Sequence, residues 1–236
     1  MDGILEQDHN PENKEADMHR VEIYEENLRL SNDTDRDWEL KPEEKDIQKF
    51  KTLILENQIK ALEEGSGKRK KVVAVQIKGS KEVKKFPEHQ MKAVIQKLVD
   101  LGYLVVLIDD LDFPVETKEG HVINLCGKTR QEEVFGLIHN VDAVVCWDSA
   151  LLWVAHTQMK PSVVFLGPTK ASTRTSMHPT GVHVVDCAKH VNCSPCVESY
   201  SACKIRGKPT YPCAKNVQTL WLLNEVKTGL ENILGE

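Results

Sequence analysis

Short apolar runs alternate with amphipathic segments along most of the chain, and this alternation predicts a parallel α/β fold. Each run has four to six residues rich in Val, Ile and Leu, as is typical of strands buried on both faces. We predict strands at residues 72–77, 103–108, 121–125, 143–147, 162–166 and 182–185. We predict helices at residues 88–101, 131–139, 149–158 and about 215–234. The expected fold class is a Rossmann-like, doubly wound parallel sheet.

The beginning of the chain has a different character. We expect residues 1–18 to lack regular structure, residues 19–30 to form a short helix or strand, residues 31–40 a loop, and residues 42–62 a helix. That helix is expected because Pro and acidic residues occupy its first turn and Gly65-Ser66-Gly67 follows it. We therefore predict an extension with a linker and a helix over residues 1–67, and a compact domain over residues 68–236.

Charge separates the same two regions. Residues 1–50 hold 16 acidic and 7 basic side chains, a net charge of −9, whereas the whole chain of 236 residues carries −5. Residues 51–236 therefore carry +4, and a mildly basic domain suits a small anionic ligand.

Several classes of protein are disfavoured by the composition. No apolar run approaches the ~18 residues of a membrane-spanning helix. The first residues are acidic and polar, unlike a secretion signal, so we expect a cytoplasmic protein. The net charge of −5 argues against general affinity for nucleic acid or anionic membranes.

The seven cysteines fall into two groups. Three lie in or beside apolar strands and are expected in the core: Cys126, Cys146 and Cys187. Four crowd into the polar end of the Cys-rich segment 187–213: Cys193, Cys196, Cys203 and Cys213. In a reducing compartment such a cluster favours a structural zinc site, with His190 as a substitute ligand or a surface residue. Unligated thiols and disulfides remain the alternatives.

Four loops follow predicted strands, at the edge of the sheet where doubly wound proteins bind ligands. In the first loop, Gly79 and Ser80 permit close approach of a ligand to the backbone, and Lys84 or Lys85 supplies positive charge. The alternative is a solvated basic loop.

The second loop, Cys126-Gly127-Lys128-Thr129, resembles the end of a phosphate-binding loop but lacks its upstream glycine. Thr129 and Glu132 have the spacing of a capping box, so capping of the next helix is the favoured explanation. Lys128 could still face a ligand.

In the third loop, Asp148 or Ser149 can cap a helix whose free N–H groups attract anions. In the fourth, Thr169 and Lys170 could reach an anion or solvent.

The order of these motifs carries a resemblance. Residues 72–220 resemble the C-terminal domain of the ADP-heptose:lipopolysaccharide heptosyltransferases, glycosyltransferase family 9. The matching segments are Lys84-x-Phe86-Pro87-Glu88, Leu125-x-Gly127-Lys128-Thr129, Asp148-Ser149-Ala150-Leu151 and Val163-Val164-Phe165-Leu166-Gly167-Pro168-Thr169. Residues 19–49 are similar to the family's segment before the crossover between its domains, so residues 1–67 would derive from the interdomain region.

The resemblance implies half of a two-domain GT-B enzyme that binds a nucleotide-diphosphate sugar, ADP- or GDP-linked, and needs no organic cofactor. The implied donor-binding residues are Gly79, Ser80, Lys84, Lys128, Thr129, Asp148, Ser149, Ala150, Leu151 and Thr169. The implied acceptor is a glycan or a lipid-linked saccharide. Some family members carry a similar Cys-x-Pro-Cys stretch.

Departures from the family pattern leave two functions open. Ala150 replaces the family's Gly and Trp153 replaces its His, while the acidic general base belongs to the family's N-terminal half. The first hypothesis is a sugar transferase, with the acceptor half supplied by a separate chain or a second copy. The alternative is a non-catalytic nucleotide- or sugar-binding module, or an assembly module. A zinc-stapled interaction domain is a third interpretation.

Overall fold

The computed structural model describes residues 40–65, 67–115, 120–178, 181–191, 193 and 211–235. The expectations for residues 1–39, Cys196 and Cys203 lie outside these ranges. No helix in the described ranges is long and apolar enough to cross a bilayer.

The described residues contain a six-stranded, all-parallel sheet. Its strands are β1 Val72–Gln76, β2 Leu104–Ile108, β3 Val122–Asn124, β4 Ala143–Trp147, β5 Ser162–Leu166 and β6 Val182–Asp186. Their order is β3-β2-β1-β4-β5-β6, the doubly wound arrangement that the sequence predicts. All six predicted strands are present, with ends that differ by at most one residue.

Helices cover both faces of the sheet. They are α1 Glu44–Glu63, α2 Glu88–Asp100, α3 Gln131–His139, α4 Ala150–Thr157, α5 Ser172–Thr175, α6 Pro212–Lys215 and α7 Thr219–Leu234. Two 3₁₀ turns are also present: Glu82–Lys84 lies between β1 and α2, and Cys187–His190 follows β6. The sequence did not predict these turns, α5 or α6, because segments of three or four residues are too short to show a period.

Alternate residues of each strand form two hydrophobic cores. Val73 and Val75 of β1 pack with α2 and α7 on one face, while Val72 and Ala74 pack with α1, α3 and α4 on the other. Cys126, Cys146 and Cys187 are buried, as predicted. Helix α1 takes part in the second core through Phe50 and Ile54, which are 0% and 3% exposed. The division of the chain at residue 67 stays a prediction.

The expected capping box at the start of α3 is wrong by one residue. The helix begins at Gln131, and the Glu133 carboxylate, rather than Glu132, accepts a hydrogen bond of 2.8 Å from the backbone N–H of Arg130. Lys49 of α1 pairs with the same carboxylate at 2.6 Å. Glu133 is therefore fixed by two elements at once, which the spacing of the sequence alone does not reveal.

The strand order reverses between β1 and β4. In doubly wound sheets the crevice outside the carboxyl ends of the strands at such a reversal is the usual ligand site. Residues that follow β1, β2, β4 and β5 meet there.

Candidate functional site

A buried cluster of charges marks the carboxyl end of β4. Asp148, the first residue after this strand, accepts hydrogen bonds at one carboxylate oxygen from Thr169 Oγ1 at 3.2 Å and Arg174 Nε at 3.1 Å. The Lys84 ammonium lies 3.2 Å from the same Asp148 oxygen and also donates to the Asp148 backbone carbonyl. All four residues are at most 9% exposed. Two cations and one carboxylate leave the cluster with a positive charge.

The electrostatics of Asp148 make it an anchor for these cations. Burial alone would raise the pKa of Asp148, but the nearby Lys84 and Arg174 outweigh burial and hold the pKa below its usual range. A carboxylate with a depressed pKa is a poor general base near neutral pH. Asp148 is therefore suited to orient the two cations rather than to remove a proton.

The loop after β1 is built to place Lys84 in this cluster. The N–H of Gly79 donates to the Lys84 carbonyl at 2.7 Å, and a Cβ on Gly79 would lie 2.7 Å from the Cβ of Lys84. Phe86 anchors the other end of the loop, with its ring centroid 4.5 Å from Trp147 and 5.0 Å from Phe165. A side chain at position 79 would therefore push Lys84 away.

The end of β1 and the start of α4 are joined by hydrogen bonds. Gln76 Oε1 accepts from the Ser149 hydroxyl at 2.7 Å and from the Trp147 N–H at 3.3 Å. Ser149 in turn caps α4, since its Oγ accepts from the N–H of Leu151 at 3.2 Å. Of the two predicted caps, the structure selects Ser149, which leaves Asp148 for the cations.

A cavity of about 390 Å³ opens beside this helix terminus. This volume lies within the range of small-molecule pockets. Its apolar wall consists of Ile108, Val134, Phe135, Ala150, Leu151 and Val154. Its polar groups are Gln76, Asp109, Asp110, Thr129 and Gln131.

Two adjacent carboxylates at the end of β2 face this cavity. Asp109 accepts hydrogen bonds from the N–H groups of Lys78 at 3.0 Å and Asp110 at 2.8 Å. The Lys78 ammonium lies 3.2 Å from Asp110. Burial and the contact with Asp110 raise the pKa of Asp109 to about 6, although Leu111 and Lys78 act in the opposite direction.

The structure separates the predicted site residues into groups. Thr129, Ala150 and Leu151 line the cavity. Lys84, Asp148 and Thr169 form the charged cluster, with Gly79 beneath Lys84 and Ser149 at the helix cap. Ser80 is exposed, and the exposed Lys128 donates to the Asn124 carbonyl at 3.2 Å. The roles assigned to all ten residues stay predictions.

The sequence analysis did not single out several residues that the structure places here, among them Gln76, Asp109, Asp110 and Arg174. Asp109 had a visible signal, because an acidic pair directly follows an apolar strand. Arg174 had none, since it lies in the four-residue helix α5.

Trp153 belongs to a ring cluster on the flank of α4. Its ring centroid lies 6.0 Å from His156 and 5.8 Å from His178, and these two histidines are 4.4 Å apart.

The cysteine segment is described only in part. Cys213 is 3% exposed and lies in the short helix α6, which contacts the 3₁₀ turn that begins at the buried Cys187, while Cys193 is half-buried. Within the described ranges, no three His, Cys, Asp or Glu side chains are arranged to hold a metal ion. Cys196 and Cys203 lie outside those ranges, so the predicted four-cysteine set stays a prediction.

The strand order, the positive cluster and the adjoining cavity define a class: a Rossmann-like domain with a positively charged cluster and a cavity at its topological switch point. The sequence profile of glycosyltransferase family 9 (heptosyltransferase) matches residues 7–205. The chain therefore belongs to this family.

Individual relatives agree with the family. Lipooligosaccharide heptosyltransferase 2 of Haemophilus influenzae is 32% identical over 96 residues, which cover 36% of this chain and 28% of that protein. The structure of E. coli ADP-heptose LPS heptosyltransferase II matches with a TM-score of 0.54 at 18% identity, over 82% of this chain and 54% of that one.

Two further structures share the fold. The family 9 glycosyltransferase of Veillonella parvula gives a TM-score of 0.60 at 16% identity, over 91% of this chain and 60% of that one. The dodecameric, iron-containing heptosyltransferase TibC was solved with ADP-D-beta-D-heptose. It gives a TM-score of 0.53 at 14% identity, over 72% of this chain and 48% of that one. The chain thus spans from 28% to 60% of the length of these relatives.

Proposed function

We propose that this chain binds the nucleotide-diphosphate sugar donor of a heptosyltransferase-like reaction and takes part in transfer of the sugar. The observation that carries the proposal is the positively charged cluster of Lys84, Asp148 and Arg174 at the switch point, next to a cavity of suitable size for a nucleoside. Membership of glycosyltransferase family 9 supports it.

The diphosphate is assigned to the space between Lys84 and the first turn of α4. Lys84 supplies a point charge, and the first N–H groups of α4 add the positive end of the helix dipole. Ala150 is the first residue of α4 and is exposed, so its methyl group borders the path of a phosphate where the family has only hydrogen.

The nucleoside is assigned to the cavity. Phe135 and the aliphatic wall provide an apolar surface for the base, and Thr129 and Gln131 provide hydrogen-bonding groups. Asp109 and Asp110 stand at the carboxyl end of β2, where acidic residues of Rossmann-like domains bind ribose hydroxyls. We assign them that role.

In the proposed reaction the charged cluster stabilises the leaving group. When the bond between the sugar carbon and the diphosphate oxygen breaks, the departing nucleoside diphosphate gains negative charge. Lys84 and the first N–H groups of α4 are fixed at the same edge of the sheet, and charges held in place in this way lower the barrier when they meet the departing diphosphate. Asp148 holds Lys84 in place during the step, and Arg174 and Thr169 fix the Asp148 carboxylate.

The incoming acceptor hydroxyl must lose its proton to a general base. Asp148 is unsuited because its pKa is depressed and three donors occupy it. We propose that the base and the binding site of a glycan or lipid-linked acceptor come from another part of the assembled enzyme, either a separate chain or a second copy. TibC is dodecameric, so a homo-oligomer is the first assembly to test.

Binding calorimetry tests the donor site. ADP, GDP, UDP and their sugar conjugates are titrated into the wild type, Lys84→Ala and Lys92→Ala. Lys92 is a suitable control, because it is 46% exposed and pairs with Glu88 on the surface of α2. We expect saturable binding of one nucleotide that weakens at least tenfold in Lys84→Ala only. Equal affinities in all three proteins, or no binding of any nucleotide, would refute the proposal.

A structural metal in the Cys-rich segment is the second part of the proposal. Four thiolates suit tetrahedral zinc or iron, and TibC is described as iron-containing. Burial of Cys213 beside Cys187 supports a role in stability rather than in the reaction. Metal analysis of the purified chain, followed by melting with and without a chelator, tests this. Full occupancy and a lower melting temperature after chelation are expected; a metal-free, stable chain would contradict it.

A further inference from the structure

A second cavity lies at the opposite edge of the sheet, where β1, β2 and β3 begin. It has a volume of about 710 Å³. Residues 68–71 line it just before β1, Tyr103 just before β2 and His121 just before β3. The donor site proposed above occupies the other edge, so it does not account for this cavity.

The wall of this cavity is strongly basic. Among the described residues that line it, four are basic, Lys68, Arg69, Lys70 and Lys71, and one is acidic, Glu64. Glu64 faces His121, with 3.4 Å between its carboxylate and the imidazole Nε2. The lining therefore carries a net charge of about +3 with neutral His121, an arrangement that attracts anions.

Lys70 is built into this wall and is not a loose surface lysine. The side chain of the buried Gln58 makes two hydrogen bonds with the Lys70 backbone. Gln58 Oε1 accepts from the Lys70 N–H at 3.0 Å, and Gln58 Nε2 donates to the Lys70 carbonyl at 2.7 Å. Lys70 is only 9% exposed, and its ammonium lies 2.9 Å from His121 Nδ1. Because an ammonium only donates, His121 Nδ1 accepts and the imidazole proton lies on Nε2, facing Glu64.

Backbone N–H groups bond terminal carbonyls of the helices that end beside this cavity. Helices α1 and α2 both end at this edge, and cations are often placed to satisfy the last carbonyls of a helix. Here backbone N–H groups satisfy them: Gly65 donates to the Leu62 carbonyl at 3.0 Å, and Gly102 to the Val99 carbonyl at 2.9 Å. Lys71 donates to the Leu234 carbonyl at the end of α7 at 3.0 Å.

We propose that this cavity binds a phosphate-bearing anion, either a free phosphate compound or the phosphate of a lipid head group. Arg69 offers a planar fork that fits phosphate oxygens, and Lys68 and Lys70 offer point charges. Ala61, Val99 and Leu101 form an apolar part of the wall that can contact the uncharged part of such a ligand.

The test compares two double variants of the full chain. Lys68→Gln with Arg69→Gln removes two exposed charges at the cavity, so the fold should be preserved. Lys92→Gln with Lys227→Gln removes two charges from exposed helix surfaces elsewhere, where these lysines pair with Glu88 and Glu231. Both variants have the same net charge.

Two probes distinguish the sources of phosphate. Inorganic pyrophosphate is titrated while the imidazole signal of His121 is followed by NMR, with His121→Gln used to assign it. Sedimentation with phosphatidylcholine vesicles, with and without phosphatidylglycerol, tests a lipid head group.

The proposal expects at least one probe to bind the wild type and the control variant alike, and to bind the cavity variant at least tenfold more weakly. A pyrophosphate effect on His121 identifies a free phosphate compound, and sedimentation only with phosphatidylglycerol identifies a head group. Equal losses in both variants, or no response to either probe, would overturn the proposal.

Discussion

Replacing Asp148 by Asn removes the negative charge that Lys84 and Arg174 share. In the wild type the carboxylate is 7% exposed and lies 3.1–3.2 Å from both cations and from Thr169. Removing one partner of a buried ion pair leaves uncompensated charge, which costs about 3–5 kcal/mol. For a protein of this size that loss lowers the melting temperature by roughly 6–20 °C.

An anionic ligand should restore much of this stability. A diphosphate would place negative charge beside the two cations, so ADP or pyrophosphate should raise the melting temperature of Asp148→Asn more than that of the wild type. Thermal unfolding followed by circular dichroism, with and without the anion, measures both effects. Asp112→Asn is the matched control, because Asp112 is exposed and its replacement should change stability by less than about 0.5 kcal/mol.

Two results would refute this reasoning. A loss of stability below about 1 kcal/mol in Asp148→Asn would mean that the cations do not depend on the carboxylate. If the anion raises the melting temperature of Asp148→Asn by no more than that of the wild type, diphosphate does not bind at this cluster.

Three further predictions concern single side chains. Gly79→Ala should displace Lys84 and weaken nucleotide binding about tenfold, because the new Cβ would lie 2.7 Å from the Lys84 Cβ. Calorimetry checks this, with Gly181→Ala as the control because its Cβ would lie 3.8 Å from the nearest atom. An unchanged affinity in Gly79→Ala would contradict the prediction. The pKa of Asp109 is raised to about 6, so the carboxyl's contribution to stability is present below pH 4 and is lost as the pH rises through 6. Between pH 4 and pH 7, urea unfolding should show that the free energy of unfolding of Asp109→Asn rises by roughly 1–3 kcal/mol relative to that of the wild type. The same pH dependence in both proteins would contradict this. The pKa of Glu133 is lowered to about 2, chiefly by the Arg130 N–H and Lys49, so its contribution to stability is present above pH 4.5 and is lost as the pH falls toward 2. Glu133→Gln should therefore lower the free energy of unfolding by about 1–2 kcal/mol at pH 7 and by little near pH 2. The control Glu132→Gln should lower it little at either pH.

The sequence predicted the sheet well because each strand is a compact apolar run with a polar exit. Parallel strands buried on both faces need Val, Ile and Leu at nearly every position, and this pattern is hard to mistake. The sequence analysis singled out Lys84, Asp148 and Thr169 for a related reason, since each follows a strand at the same edge of the sheet, and the structure brings them together in one cluster.

The remaining features depend on contacts between distant segments. Arg174 reaches Asp148 across 26 positions of sequence, from a helix too short to show a period. The capping box at α3 was misplaced by one residue because Thr129 with Glu132 and Arg130 with Glu133 have the same spacing. The Lys49 contact from α1 holds Glu133 in the capping position, and no local pattern contains that information.

A crystal structure of the chain grown with the nucleotide that binds in calorimetry tests the central claim most directly. The account predicts its diphosphate within hydrogen-bonding distance of the Lys84 ammonium and the first N–H groups of α4, with the nucleoside in the cavity beside Phe135 and Asp109. A nucleotide bound elsewhere on the sheet, with Lys84 and α4 free of it, would contradict the account.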